Sequence, residues 1–413
     1  MEVVALNRQK SAALLLTGLA LGFIGSFTLT PHPEQAELVA GISPWCILGC
    51  DDLAPLDIAL NILLFVPLGI ALSLWMSRFK SLVIGAGVSV LIELAQLHLI
   101  IGRDASLRDV ITNTTGAALG IVLVASWRRV LLPSRETALR LAVLAGVTWF
   151  LGVNATGRAM ESSFPETVWF GQWNPELGQF DTFPGRVLDA HLNEAFLPTG
   201  VLPQSRELND MLARDNYRLD VTAVMGEATS REAPIFSVFD AEQREILVLA
   251  QSGRSLHYRT RSRVGEAGFH TQGVRLDAIP DGAPGDTVRF EVVRSGPRML
   301  LRAAAGNRIV SATRALTIGG AWAFFLPFEY AFGWETPLLS ALWLGGLLFL
   351  VGYWGARTER RNGAAVALVV LVVVGLAPVS AYWGLALPTL WEWIGALAGT
   401  YAGWRAGVAT LSP

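Results

Sequence analysis

Eight apolar stretches, each about as long as a membrane span, constrain this chain more than any other feature. A bilayer core about 30 Å thick needs roughly 20 apolar residues per helix. A first block holds Ala12 to Leu29, Leu56 to Met76, Leu82 to Ile101, Val110 to Ser126 and Leu139 to Val153, and a second holds Pro337 to Trp354, Ala364 to Trp383 and Thr389 to Val408. Between Asn154 and Glu335 there is no such stretch, charged residues return, and short alternating runs are separated by Gly and Pro. The expected architecture is an α-helical polytopic membrane protein of about eight transmembrane helices with an inserted all-β sandwich. Helices occupy residues 1–153, the soluble domain 154–335, and three further helices 336–413.

Composition narrows the function classes. Charged residues make up 16% of the chain, against about 25% in soluble domains, so the missing charge belongs to segments that avoid water. A formal net charge of −2 argues against a nucleic-acid binder that works by neutralising phosphates. The apolar content excludes a disordered chain, and 2 Cys exclude a disulfide scaffold.

Lys and Arg in short loops are retained in the cytoplasm. Arg8 and Lys10 put the N-terminus inside, and residues 30–55, without Lys or Arg, lie outside. Arg78 and Lys80, then Arg128, Arg129 and Arg135, return to the cytoplasm, as do Arg357, Arg360 and Arg361. The soluble domain is then extracytoplasmic and the C-terminus, with Arg405, cytoplasmic, in a bacterial-type inner membrane. Arg103 and Arg108 depart from the rule, since their loop is external. Read alone, the first span also resembles a signal peptide, with small residues at Ala36 to Gly41; its length and the spans that follow favour a membrane helix. Cys46 and Cys50 fall in the first external loop, where a local disulfide or free thiols are both open.

Ionisable groups within spans are costly, so they face the protein interior or water and mark candidate sites. Asp57 and Asn61 are four apart in the second span; Glu93, Gln96, Ile100 and Arg103 form one stripe on the third; Asp109, Asn113, Gly116 and Gly120 form one on the fourth. With alternating direction, the polar members fall at similar depth toward the outer face. Gly116 and Gly120, flanking Ala117 and Ala118, permit close helix packing. Two readings stay open: a polar pocket built from Asp57, Asn61, Glu93, Gln96, Arg103, Asp109 and Asn113, or a lock in which Arg103 or Arg108 pairs with Glu93, Asp104 or Asp109. No nucleophile, His pair or metal cluster joins these carboxylates, so neither metal nor cofactor is expected.

These residues also carry a resemblance. The run Asp57 to Asn61 through Phe65-Val-Pro67-Leu-Gly69, then Ile92-Glu93-Leu-Ala-Gln96, Arg103-Asp104, and Asp109 to Asn113 through Gly116-Ala-Ala-Leu-Gly120, resembles the VanZ-like membrane family over residues 10 to 153. The resemblance implies an envelope membrane protein, in a family named for an association with resistance to a glycopeptide antibiotic.

In the soluble domain, Leu219, Val221 and Ala223 alternate with polar neighbours, as do Leu256, Tyr258 and Thr260. Ile235 to Phe239, Glu245 to Ala250, Val288 to Val293 and Met299 to Arg302 read as further strands, with turns at Ser252-Gly253, Asp281-Gly282, Pro284-Gly285 and Ser295-Gly296. This strand order resembles the concanavalin-A-like/laminin-G superfamily, which includes carbohydrate binders and glycosidases; the alternating acidic strand motif of its glucanase members is absent, so a binding or spacer domain is expected. Trp169 and Trp173 are candidates for stacking on sugar rings, the alternative being that they pack the base of the sandwich. Phe324, Phe325, Phe328, Tyr330 and Trp334 suggest an interfacial anchor. Gly395 and Gly399 repeat the spacing of Gly116 and Gly120, which aligns Glu392 with Asn113; Gly/Ala packing repeats are common in spans, so chance explains this one better than partial duplication does.

The expected function is binding or handling of a cell-surface glycan, a lipid-linked saccharide or a glycopeptide, the bilayer being the other partner. A membrane-anchored interaction or adhesion protein, and an acid/base enzyme using Glu93 and Asp109 on an envelope lipid, are the alternatives.

Overall fold

The computed structural model describes residues 2–31, 54–103, 105–176, 180–271, 273–279, 284–325 and 335–410. Cys46, Cys50, Asp104, the Asp281-Gly282 turn, Phe328, Tyr330 and Trp334 lie outside them. The chain forms two compact units, Met1–Ser134 with Ala267–Phe269, and Arg135–Glu266 with His270–Pro413.

The first unit contains α1 (Glu2–Thr28), α2 (Ala54–Ser73), α3 (Arg78–Leu99) and α4 (Leu107–Leu131). Its apolar centre gathers Ala20 and Ile24 of α1, Phe65, Leu68 and Leu72 of α2, and Ile92 of α3. Helices α2 and α4 meet with their backbones in close approach. A side chain at Gly69 would collide with the Ala117 carbonyl, one at Gly116 with the Ile62 carbonyl, and one at Gly120 with the Val66 carbonyl. Dispersion at this close range substitutes for a hydrophobic effect that lipid does not supply.

The second unit opens with α5 (Arg135–Ala159) and continues into twelve strands: β1 (Trp169–Trp173), β2 (Arg186–Leu192), β3 (Ala195–Phe196), β4 (Gly200–Leu202), β5 (Asn216–Val224), β6 (Thr229–Asp240), β7 (Glu245–Gly253), β8 (Ser255–Thr260), β9 (Val274–Leu276), β10 (Thr287–Ser295), β11 (Arg298–Ala305) and β12 (Arg308–Ala315). Two short helices interrupt them, α6 (Ser205–Ala213) and α7 (Arg263–Glu266). The strands make two six-stranded antiparallel sheets, ordered β4-β1-β6-β7-β8-β9 and β12-β11-β10-β5-β2-β3. Alternation sets the core: Leu219, Val221 and Ala223 of β5 are fully buried, as are Phe290 and Val292 opposite them on β10. All six strands expected from alternation form. The turns at Gly253 and Gly296 adopt the left-handed backbone that glycine tolerates. Strands β1 to β4, β9 and β12 escaped the sequence reading; β3, β4 and β9 are two or three residues long, too short to show a period.

After β12 the chain enters a 3-10 helix, Ile318–Phe325, and then α8 (Thr336–Ala356), α9 (Arg361–Leu376), α10 (Pro378–Tyr382) and α11 (Leu390–Ala409). Seven helices among the described residues are long and apolar enough to cross a membrane, with α9 and α10 forming one span, Arg361–Tyr382. The eighth expected span forms a helix, α11, that is not among those seven. The protein is a multi-pass helical membrane protein with a β-sandwich inserted between its helices.

Candidate functional site

Local sequence explains why the polar groups of the first unit gather at one end. Helix α3 stops after Leu99 because Ile100 turns extended and Gly102 takes a left-handed φ of 78°. The chain reverses, and Ser106 caps α4 by accepting the Asp109 backbone N–H at 3.1 Å. That places the C-terminal end of α3 beside the N-terminal ends of α2 and α4.

Glu93 Oε2 accepts the backbone N–H of Ser106 at 2.8 Å, so a buried carboxylate on α3 satisfies the cap of α4. The Arg108 guanidinium, 5% exposed, donates to Asp57 Oδ2 of α2 at 3.0 Å and stands 3.6 Å from Asp109 Oδ1. Asn113 Nδ2 donates to Ser89 Oγ on α3 at 3.1 Å, and Gln96 Nε2 to the Thr28 carbonyl of α1 at 2.9 Å. One acceptor in each amide is left over. Gln96 Oε1 and Asn113 Oδ1 are buried without a hydrogen-bond partner among the described residues, in residues that are 8% and 2% exposed. An unpaired buried carbonyl costs about 1–3 kcal/mol, so two of them in one cluster ask for a donor. Asp57, whose side chain is 41% exposed, is the more exposed partner of the Arg108–Asp57 pair. Asn61 is half-buried on the same helix.

Arg103 is the exception to the sequence-derived stripe. It lies past the end of α3, and its guanidinium donates to the carbonyls of Phe27 at 2.6 Å and Thr30 at 3.3 Å, at the C-terminal end of α1. A cation there answers the helix dipole, which ties down α1. Sequence reasoning gave Ser89 and Ser106 no place among the site residues, and named Arg108 only as a partner for Glu93, Asp104 or Asp109, which includes its neighbour at 3.6 Å, Asp109, but not Asp57. Ser89 was findable, being one turn before Glu93 on the same stripe; the Arg108–Asp57 pair joins two helices 51 positions apart in sequence and leaves no local signal.

Around β1, Trp169 is 1% exposed and its indole donates to the Pro165 carbonyl, so it packs the sandwich interior and has no face for a sugar. Trp173 is half-buried, edge-on to Phe196, with its indole N–H on the Leu197 carbonyl. A hollow of about 310 Å³ beside β1 is lined by Phe170, Gly171, Gln172, Thr199 and Gly200. The Gln172 side-chain oxygen is buried without a hydrogen-bond partner among the described residues. Deeper in the sandwich, the Tyr217 and Tyr258 hydroxyls meet at 2.8 Å, and burial raises both pKa values above the usual phenol range. Glu392, isolated in the sequence, accepts from Thr317 Oγ1 at 2.5 Å and closes a capping box with Thr389. No group of three or more metal-ligating residues occurs among the described residues.

Residues 8–128 match the family model described as VanZ/LLP1. The matched stretch begins in α1, ends in α4 and so contains the whole polar cluster. No curated protein and no solved structure matches the chain.

Proposed function

We propose that this membrane protein, whose N-terminal helices are VanZ-like, binds the polar head of a saccharide-bearing lipid or glycopeptide of the cell envelope at the Asp57–Glu93–Arg108–Asn113 cluster. One observation carries the reading: two buried amide carbonyls, on Gln96 and Asn113, lack donors among the described residues, in a cluster that also offers carboxylates and a guanidinium. Sugars supply hydroxyl donors and acceptors at short spacing, and such a ligand repays the unmet acceptors of a preformed site. The reading concerns binding, not turnover: Glu93 is occupied with a backbone N–H and Asp109 stands beside Arg108. The charge pattern of the loops supports a cytoplasmic N- and C-terminus and an extracytoplasmic cluster and sandwich in a bacterial-type inner membrane.

The test is retention of defined lipids by the full-length protein in nanodiscs, read by native mass spectrometry. A polyprenyl-linked disaccharide should be held at least tenfold more tightly than the same polyprenyl phosphate without sugar. Equal retention of the two would remove the saccharide from the account.

A second reading, with the sandwich as the binding domain and the helices as anchor, draws on the hollow beside β1 and its unmet Gln172 carbonyl, and on the resemblance to concanavalin-A-like domains. Gln172→Leu would then abolish retention of the glycosylated lipid, whereas the first reading leaves it intact.

A further inference from the structure

The close contacts that join α2 to α4 recur between α8 and α11 at a single displacement of 283 positions. Gly69 abuts the Ala117 carbonyl, and Gly352 the Thr400 carbonyl. Gly116 abuts the Ile62 carbonyl, and Gly399 the Gly345 carbonyl; Gly120 abuts the Val66 carbonyl and the Ile70 nitrogen, and Gly403 the Phe349 carbonyl and the Tyr353 nitrogen. The helix ends obey the same displacement. Helix α2 ends at Ser73 and α8 at Ala356, α4 begins at Leu107 and α11 at Leu390, and the spans Arg78–Leu99 and Arg361–Tyr382 are both 22 residues long. The caps follow too, since Ser106 accepts the Asp109 N–H and Thr389 the Glu392 N–H. Helix α5 packs on α8 as α1 packs on α2. The register that aligns Gly395 with Gly116 is therefore one turn out: Gly399 is the counterpart of Gly116, and Glu392 that of Asp109, not of Asn113.

The chemistry does not follow the packing. At the same displacement Ser89 becomes Val372, Glu93 becomes Leu376, Gln96 becomes Val379, Arg108 becomes Trp391 and Asn113 becomes Ala396. The end of α8 and α11 that corresponds to the polar cluster is filled by the protein itself. Thr317 donates to Glu392, Gly319 lies against the same carboxylate, and Trp322 Nε1 donates to Ser340 Oγ, the counterpart of Asp57, at 3.0 Å. A hydroxyl on the acidic cap residue and an N–H on the residue that stands for Asp57 thus show what an occupant of such a mouth presents.

We propose that α5 and α8 to α11 are a second copy of the four-helix module α1 to α4, with the β-sandwich inserted in its first connection. Its mouth is plugged by Thr317 to Trp322, and the corresponding mouth of the first copy, between the N-terminal ends of α2 and α4, takes a hydroxyl-bearing head group. The duplication stands on packing alone; the ligand half rests on the function proposed above. A second copy of an even-spanning module enters the membrane in the same direction as the first, which makes α11 a span and sets the sandwich on the side of residues 29–53.

The test combines topology with binding. In full-length protein with Cys46→Ser and Cys50→Ser, single cysteines at Ser134→Cys, Ala228→Cys and Thr410→Cys are exposed to a membrane-impermeant maleimide on intact cells. Labelling at 228 and protection at 134 and 410 until permeabilisation is the expected result. External labelling at 410 overturns the duplication, whatever the protein binds. Separately, Asp57→Asn, which keeps an acceptor for the buried Arg108 guanidinium, should weaken retention of the polyprenyl-linked disaccharide at least tenfold in protein that stays folded. Unchanged retention overturns the ligand mouth and leaves the duplication standing.

Discussion

Asn113→Ala separates a binding cluster from a structural lock, because the two demand opposite stabilities. The substitution removes the bond to Ser89 Oγ, and side-chain hydrogen bonds between membrane helices average about 0.6 kcal/mol. It also deletes the buried Oδ1 that has no partner among the described residues, relieving a penalty of about 1–3 kcal/mol. The Ser89 hydroxyl keeps the helix carbonyl one turn back as an acceptor. Trimming the amide from a fully packed position leaves a small void costing about 1 kcal/mol. The balance lies between a gain of about 1 kcal/mol and a loss of similar size, so the thermal midpoint of the ligand-free protein in nanodiscs should move by less than about 4 °C. Retention of the glycosylated lipid should fall tenfold or more in the same sample. A drop of more than about 8 °C, corresponding to over 2 kcal/mol, would refute the reasoning and make Asn113 part of a lock.

Other expectations follow from the same geometry. Glu93→Leu strands the Ser106 N–H, whereas in the second copy the equivalent N–H of Thr389 is accepted by Glu392 from its own helix at 2.6 Å; adding Asp109→Glu should rebuild that capping box and recover about 1 kcal/mol, read as a thermal midpoint above that of Glu93→Leu alone. Gly116→Leu and Gly399→Leu each drive a side chain into a backbone carbonyl, and each should cost about 3 kcal/mol or more; a large loss at one with none at the other would contradict equal roles in the two helix pairs. Burial, opposed by Glu232 and aided by Arg275 and Arg259, lowers the His257 pKa from 6.5 to about 4. The unfolded chain then binds the extra proton first, so stability falls as pH drops from 6.5 toward 4, by no more than about 3 kcal/mol from this group. His257→Gln should flatten the pH dependence of the melting temperature in that window.

Sequence period reveals most of this architecture because lipid and sheet cores both impose one. The apolar stretches mark the helices, and alternation marks the strands whose inner residues are buried. It fails where an element is too short to show a period, as in β3, or where backbone geometry ends a helix, as at Gly102, which removes Arg103 from the stripe. The cluster of Asp57, Glu93, Gln96 and Asn113 is legible because intramembrane polar residues are rare. The partner of Glu392 was not, since Thr317 is distant in sequence and arrives by tertiary packing. The repeat was visible only as one glycine pair, in the wrong register; the run Gly395, Gly399, Gly403, Gly407 offers several registers, and only the partner carbonyls on α8 choose among them.

The most direct measurement is a cryo-EM map of the full-length protein in nanodiscs loaded with a polyprenyl-linked disaccharide. Sugar density within hydrogen-bonding distance of Asp57 and Asn113, with the equivalent mouth of the second copy still filled by Thr317 to Trp322, is the predicted result. Density in the hollow beside β1 with the Asp57 mouth vacant would contradict it.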